Sequence, residues 1–177
     1  MAKPAVPHYS TLQIGLHWAI AALVMFQIVF GEAMVRFVDA AEEGGAVSAT
    51  DTVLANAHYW SGIAILALLV ARIGLRLFRG VPPHDPSTSP LAAFLASAMH
   101  WAFYALLIAV PVSGLVTYYG LADIGDIHGL AKPVFVVLVA GHAGAALFHQ
   151  FVKRDGTLAR MLPVIAQSFG RAAGMPR

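Results

Sequence analysis

Long apolar runs alternate with short polar ones along this chain. Four stretches, about residues 12–31, 53–77, 91–119 and 128–152, contain no Asp or Glu. Each is near or above the ~20 residues that an α-helix needs to cross the hydrocarbon of a bilayer. Backbone polar groups in lipid must be satisfied within their own segment, so such runs form helices. The pattern predicts an all-α fold, an integral membrane four-helix up-down bundle forming one transmembrane domain over residues 1–177.

The polar connections fix its expected orientation. Residues 32–52 carry Glu32, Asp39, Glu42, Glu43 and Asp51 against Arg36 alone, and residues 121–127 carry Asp123 and Asp126. By contrast, Arg72, Arg76 and Arg79 close the second run, Lys153, Arg154, Arg160, Arg171 and Arg177 follow the fourth, and Lys3 precedes the first. Positive charge is retained on the cytoplasmic side, which places both termini in the cytoplasm and the acidic connections outside. The first run has only Lys3 in front of it and is too long for a cleavable signal, so it is expected to be retained. Pro82, Pro83, Pro86 and Pro90 make residues 81–90 a stiff linker.

Composition sharpens this picture. The 177 residues are 59% hydrophobic and 11% charged, against roughly 25% charged in soluble domains. Nothing in this balance points to a nucleic-acid partner; the partner it implies is the lipid bilayer. Cysteine is absent, which excludes disulfides, iron–sulfur ligation and covalent attachment of c-type haem.

Against that apolar background stand eight histidines, six of them (His17, His58, His100, His128, His142 and His149) inside or at the edge of the runs. Imidazole in hydrocarbon is costly, so its repeated use there points to ligation. His128 and His142 are fourteen residues apart, close to four helical turns and about 21 Å of rise, which suits two stacked cofactors in one membrane. Counting depth from the helix ends pairs His58 with His128 near the outer side and His17 with His142 near the inner side. Each pair supplies the two axial nitrogens of a six-coordinate b-type haem iron, so two haem b groups are expected. Zinc is disfavoured, because the histidines lack the close spacing and the Cys or carboxylate companions of a tetrahedral site.

Other residues take supporting roles in this scheme. Gly62, Ala64 and Ala67 follow His58, and Gly141, Gly144, Ala145 and Ala146 surround His142; they leave room for a porphyrin or simply let helices pack closely. His100 lies at the depth of His142, where it either replaces an inner ligand or lines a quinone pocket. His149, two turns beyond His142, joins that pocket hypothesis. Arg72 and Arg76 pair with haem propionates or serve as positive-inside anchors. Pro111 kinks the third helix or is a tolerated membrane proline. His8 and His84 lie outside the runs and read as surface residues.

Taken together, several motifs resemble the bacterial cytochrome b561 family, which is related to the cytochrome b subunits of hydrogenases and formate dehydrogenases. They are Tyr9-Ser10-x-Leu12-Gln13-Ile14-x-x-His17-Trp18, His58-x-x-x-Gly62-Ile63, Arg72-x-x-x-Arg76, His100, Pro111-x-x-Gly114, Gly141-His142-x-x-x-Ala146-Leu147 and Lys153-Arg154-Asp155-Gly156-Thr157-Leu158. The resemblance covers nearly the whole chain. It implies a multi-pass protein of the bacterial inner membrane that moves electrons between the quinone pool and a donor or acceptor on the outer face. It also implies the same two ligand pairs as the depth count, with ubiquinone or another quinone as substrate. Superoxide oxidation is an activity known in this family. The expected outer face, however, holds seven carboxylates against Arg36 and Lys132, which suits a cationic soluble donor better than an anion. Two rivals are a cytochrome subunit anchoring a larger dehydrogenase or hydrogenase complex, and a haem-free transporter or assembly protein that uses its histidines as proton relays.

Overall fold

The computed structural model describes residues 8–83, 88–155 and 157–162. Lys3, His84, Pro86, Gly156, Arg171 and Arg177, used in the sequence reading, lie outside the described residues. All regular structure in the described residues is helical, and four helices are long and apolar enough to cross a membrane.

The first, α1, spans Thr11–Phe30. Ser10 caps it through a reciprocal box, its hydroxyl accepting from the Gln13 backbone while the Gln13 side chain accepts from the Ser10 N–H, which satisfies two donors orphaned at the helix start. Gly31 closes α1 and opens α2 at Glu32–Glu42. The sequence pattern gave this segment no helix, because eleven residues with mixed charge fall below any spanning length. One face of α2 is nevertheless apolar, and Ala33 on it is buried. Two ion pairs hold α2 in place, from Arg36 to Asp51 at 2.6 Å and from Lys132 to Glu32 at 2.5 Å.

Ser48 caps α3, Ala49–Arg79, by accepting from the Asp51 backbone, so this helix begins four residues before the apolar run. Ser89 does the same for α4, Pro90–Tyr118, whose Pro90 occupies the first turn, where the missing N–H has no cost. The fourth span is interrupted: α5 covers Gly125–Gly129 and α6 covers Ala131–Phe148, meeting at Leu130. Pro133 accounts for the break, since it cannot donate to the Gly129 carbonyl and its ring crowds that oxygen. His128 and His142 therefore sit on separate helices rather than on one uninterrupted stripe. A π-helical turn, His149–Lys153, and a left-handed Arg154 end the span.

Packing is led by α1 against α3, with α4 and α6 completing the bundle. Ile20, Val24, Ile65, Leu69, Tyr104, Leu107 and Phe135 make its core. Outside it the apolar residues turn outward: Phe78 is 82% exposed, Val70 72% and Val137 70%. A molecule with this distribution matches lipid, where apolar side chains lose nothing by facing out.

At the end where α1 begins, Trp18 donates to the Met161 carbonyl at 2.8 Å and Arg160 to the Pro83 carbonyl at 3.2 Å. These bonds tie the segment after the fourth span to α1 and to the linker before α4. The opposite end is formed by α2 and α5.

Candidate functional site

Histidines from five helices meet in the bundle. At the α2 end, His58 of α3 faces His128 of α5 with ring centroids 6.1 Å apart. Toward the opposite end, where α1 begins, His17 of α1 faces His142 of α6, also at 6.1 Å. A metal–imidazole bond of about 2.0 Å, plus roughly 1.1 Å from donor nitrogen to ring centre, puts two axial imidazoles about 6 Å apart. Both pairs therefore have the separation that a single iron between them requires.

Ring orientation at the first pair fits as well. The Nδ1–H of His128 points at the Val110 carbonyl, 3.0 Å away, with the Ser113 hydroxyl at 3.2 Å. That fixes the tautomer and leaves Nε2 with its lone pair free for a metal, the usual arrangement of a ligating histidine. Gly114 makes the seat possible: a Cβ there would lie 2.8 Å from Cε1 of His128, closer than carbon atoms tolerate. The carbonyl, the hydroxyl and the glycine all belong to the turn around Pro111. Sequence reasoning assigned Pro111 a kink but missed the roles of Val110, Ser113 and Gly114. The signal was the spacing Pro111-x-x-Gly114 facing a histidine on another helix, which only tertiary structure reveals.

His100 of α4 approaches His142 from another side, with ring centroids 5.7 Å apart. Its Nδ1 donates to the Ala96 carbonyl at 2.7 Å, so Nε2 faces away as an acceptor. His142 thus stands between His17 and His100. His100 also lines a small, open-mouthed cleft of about 20 Å³ with Tyr9, Gln13, Arg72, Arg76, Val81 and Tyr104. Arg72 donates to the Gln13 carbonyl at 2.9 Å, and Arg76 lies over the Tyr104 ring at 5.8 Å. Burial pushes the Tyr9 phenol above its usual range, although Arg76 and Arg72 pull it down.

The other sequence candidates fall as follows. His149 does not line this cavity; its Nδ1 pairs with Asp155 at 2.5 Å, and the second oxygen of Asp155 accepts from the backbone and hydroxyl of Thr157. Burial raises the Asp155 carboxyl, but the bonds from His149 and Thr157 outweigh it and hold the group below the ordinary carboxylate range. Small residues near the ligands divide between two roles. At Gly62 a Cβ would meet the Gln27 amide at 3.6 Å and at Gly141 the Met99 methyl at 3.7 Å, whereas Gly144 has open space. The first two distances are ordinary van der Waals contacts, so neither packing partner demands glycine there, and of the three Gly144 leaves the most room among the described residues.

A b-type haem is thus compatible with the donor set, the ring spacings and the tautomer at His128. The described fold and the known proteins it resembles agree on this point. A family model described as prokaryotic cytochrome b561 matches residues 8–164. The chain is 38% identical to a protein named cytochrome b562 from Cereibacter sphaeroides, over 88% of this chain and 96% of that one. It is 33% identical to a probable superoxide oxidase CybB from Yersinia pestis, over 88% and 96% of the two chains. It is also 29% identical to cytochrome b561 homolog 1 of Escherichia coli, over 88% and 97%. With four spans, imidazoles facing one another across the bundle and a family match along nearly its full length, the chain belongs to the prokaryotic cytochrome b561 family and is a bacterial membrane haem cytochrome of electron transfer.

Proposed function

We propose that this chain is a dihaem cytochrome of the bacterial inner membrane, both termini cytoplasmic, that carries electrons between a donor at the outer face and the quinone pool. The observation that carries this reading is the repetition of one spacing, 6.1 Å, at two histidine pairs from separate helices. His58 and His128 would hold the outer haem, and His17 and His142 the inner one. Bound haem supplies reversible one-electron chemistry at iron.

The chain's own residues supply the rest. His100 is the proton acceptor we assign to quinone chemistry, because its Nδ1–H is committed to the Ala96 carbonyl and leaves the Nε2 lone pair to accept. The Tyr9 hydroxyl lines the same cleft and is a donor to a quinone oxygen. Arg72 and Arg76 hold positive charge at the same cavity, where propionates or a quinol anion would be stabilised.

Purified protein in lipid nanodiscs is expected to give a pyridine haemochrome ratio of two haem b per polypeptide. A ratio of one in fully loaded material would refute the scheme.

Superoxide is a second reading, motivated by the relative named a probable superoxide oxidase. Charge argues against efficient capture here. Arg36 and Lys132, the two cations of the α2 end, are both engaged, to Asp51 and Glu32. Lys132 in turn holds the Glu32 carboxyl below its usual range. Seven carboxylates against two cations leave this face at −5, and like charge repels an anion within a Debye length of ~10 Å at 0.1 M salt. If superoxide does reduce the haems, stopped-flow rates will rise with added salt. A fall would show that a positive path exists and would contradict the charge argument.

A further inference from the structure

Where the His128 ring is anchored, its counterpart across the pair is not. Nδ1 of His58 is fully shielded and has no hydrogen-bond partner among the described residues. In the same nook, the side-chain oxygen Oε1 of Gln27 is also fully shielded and without a partner. The two residues already touch: Nε2 of Gln27 donates to the backbone carbonyl of His58 at 3.0 Å. Gly31, one turn after Gln27, lies beside both, because a Cβ there would be 2.7 Å from the Gln27 carbonyl and 3.8 Å from Cε1 of His58.

These unpaired atoms are chemically complementary. With Nε2 of His58 turned to a metal, Nδ1 carries the proton and must donate. An amide oxygen is a strong acceptor, and leaving either group unmet in a low-dielectric interior is costly. A shielded glutamine oxygen in the last turn of an apolar helix is costly unless a donor meets it. Its amide orientation is set, since only the NH2 end can serve the His58 carbonyl, which leaves the oxygen for another donor.

We propose that Gln27 is a positioning residue for the haem held by His58, its Oε1 accepting the Nδ1–H of that histidine. This rests on the reading of His58 as an axial ligand. An acceptor on Nδ1 makes the imidazole more basic and favours ferric over ferrous iron. Gln27 would thereby lower the potential of the His58/His128 centre, as the Val110 carbonyl does from the other side.

Redox titration of Gln27→Leu and Gln27→Glu in nanodiscs tests this, with His58→Ala identifying which spectral component belongs to His58. Gln27→Leu, which removes the acceptor, should raise the potential of that component alone by about 59 mV, the one-electron equivalent of a tenfold change in relative ferric and ferrous binding. Gln27→Glu keeps an oxygen at the same reach and should stay at or below the wild-type potential. Should both variants move upward together, Gln27 only packs, and the proposal fails. It fails equally if Gln27→Leu leaves the potential unchanged. Where Gln27→Leu does not fold, a raised potential in Gln27→Glu alone overturns it. Retention of both haems in His58→Ala would instead remove the ligand reading beneath it.

Discussion

Protein carrying His128→Ala is expected to purify with one haem in place of two, and His58→Ala with the same one missing. The two imidazoles lie 6.1 Å apart at the α2 end, and neither has a second histidine near it among the ring contacts described. The His17–His142 pair lies elsewhere in the bundle and keeps its own neighbours, Trp18, His100 and Phe103. Loss of one axial nitrogen should therefore empty one centre and spare the other. The check is the pyridine haemochrome ratio together with a redox titration, where a single titrating component should remain. Loss of both haems would mean that the centres are coupled through folding. Retention of both would mean that another side chain takes the place of the missing imidazole.

Nearly as large an effect should follow from a residue that contacts no iron. In Gly114→Val the new Cβ would fall 2.8 Å from Cε1 of His128 and 3.2 Å from its Nδ1. The ring cannot retreat without breaking its bonds to Val110 and Ser113. The expected outcome is loss of the same haem, or at least a tenfold weaker hold on it, in the range seen when groups that orient metal ligands are altered. Gly15→Ala supplies the control, since no atom of the described residues lies within 4 Å of a Cβ there. Haem titration of the apo-protein separates the two, and equal affinities would show that Gly114 is dispensable to the seat.

The membrane class of this fold was readable from the chain because lipid imposes one simple demand, about twenty apolar residues per span. That His58 faces His128 and His17 faces His142 was readable as depth, since depth follows from counting residues along a helix. What escaped were features that depend on neighbours distant in sequence. The α2 helix is fixed by ion pairs to Asp51 and Lys132, the second of them a hundred residues away. The interruption at Leu130 was signalled locally by Pro133, but the apolar run continues through it and masked the break. Gly114 and Gln27 look like any small or polar residue of a membrane helix until His128 and His58 are placed beside them.

The shallow interior of this bundle has a practical corollary. Only nine hydrophobic residues among those described are shielded by protein alone, so cohesion between the helices leans on the surrounding acyl chains. Short-chain detergent that strips those chains should loosen the bundle before it damages any ligand, and apparent cofactor occupancy should then track the solubilising agent. Native-membrane or bicelle preparations are the reference against which every variant is best weighed.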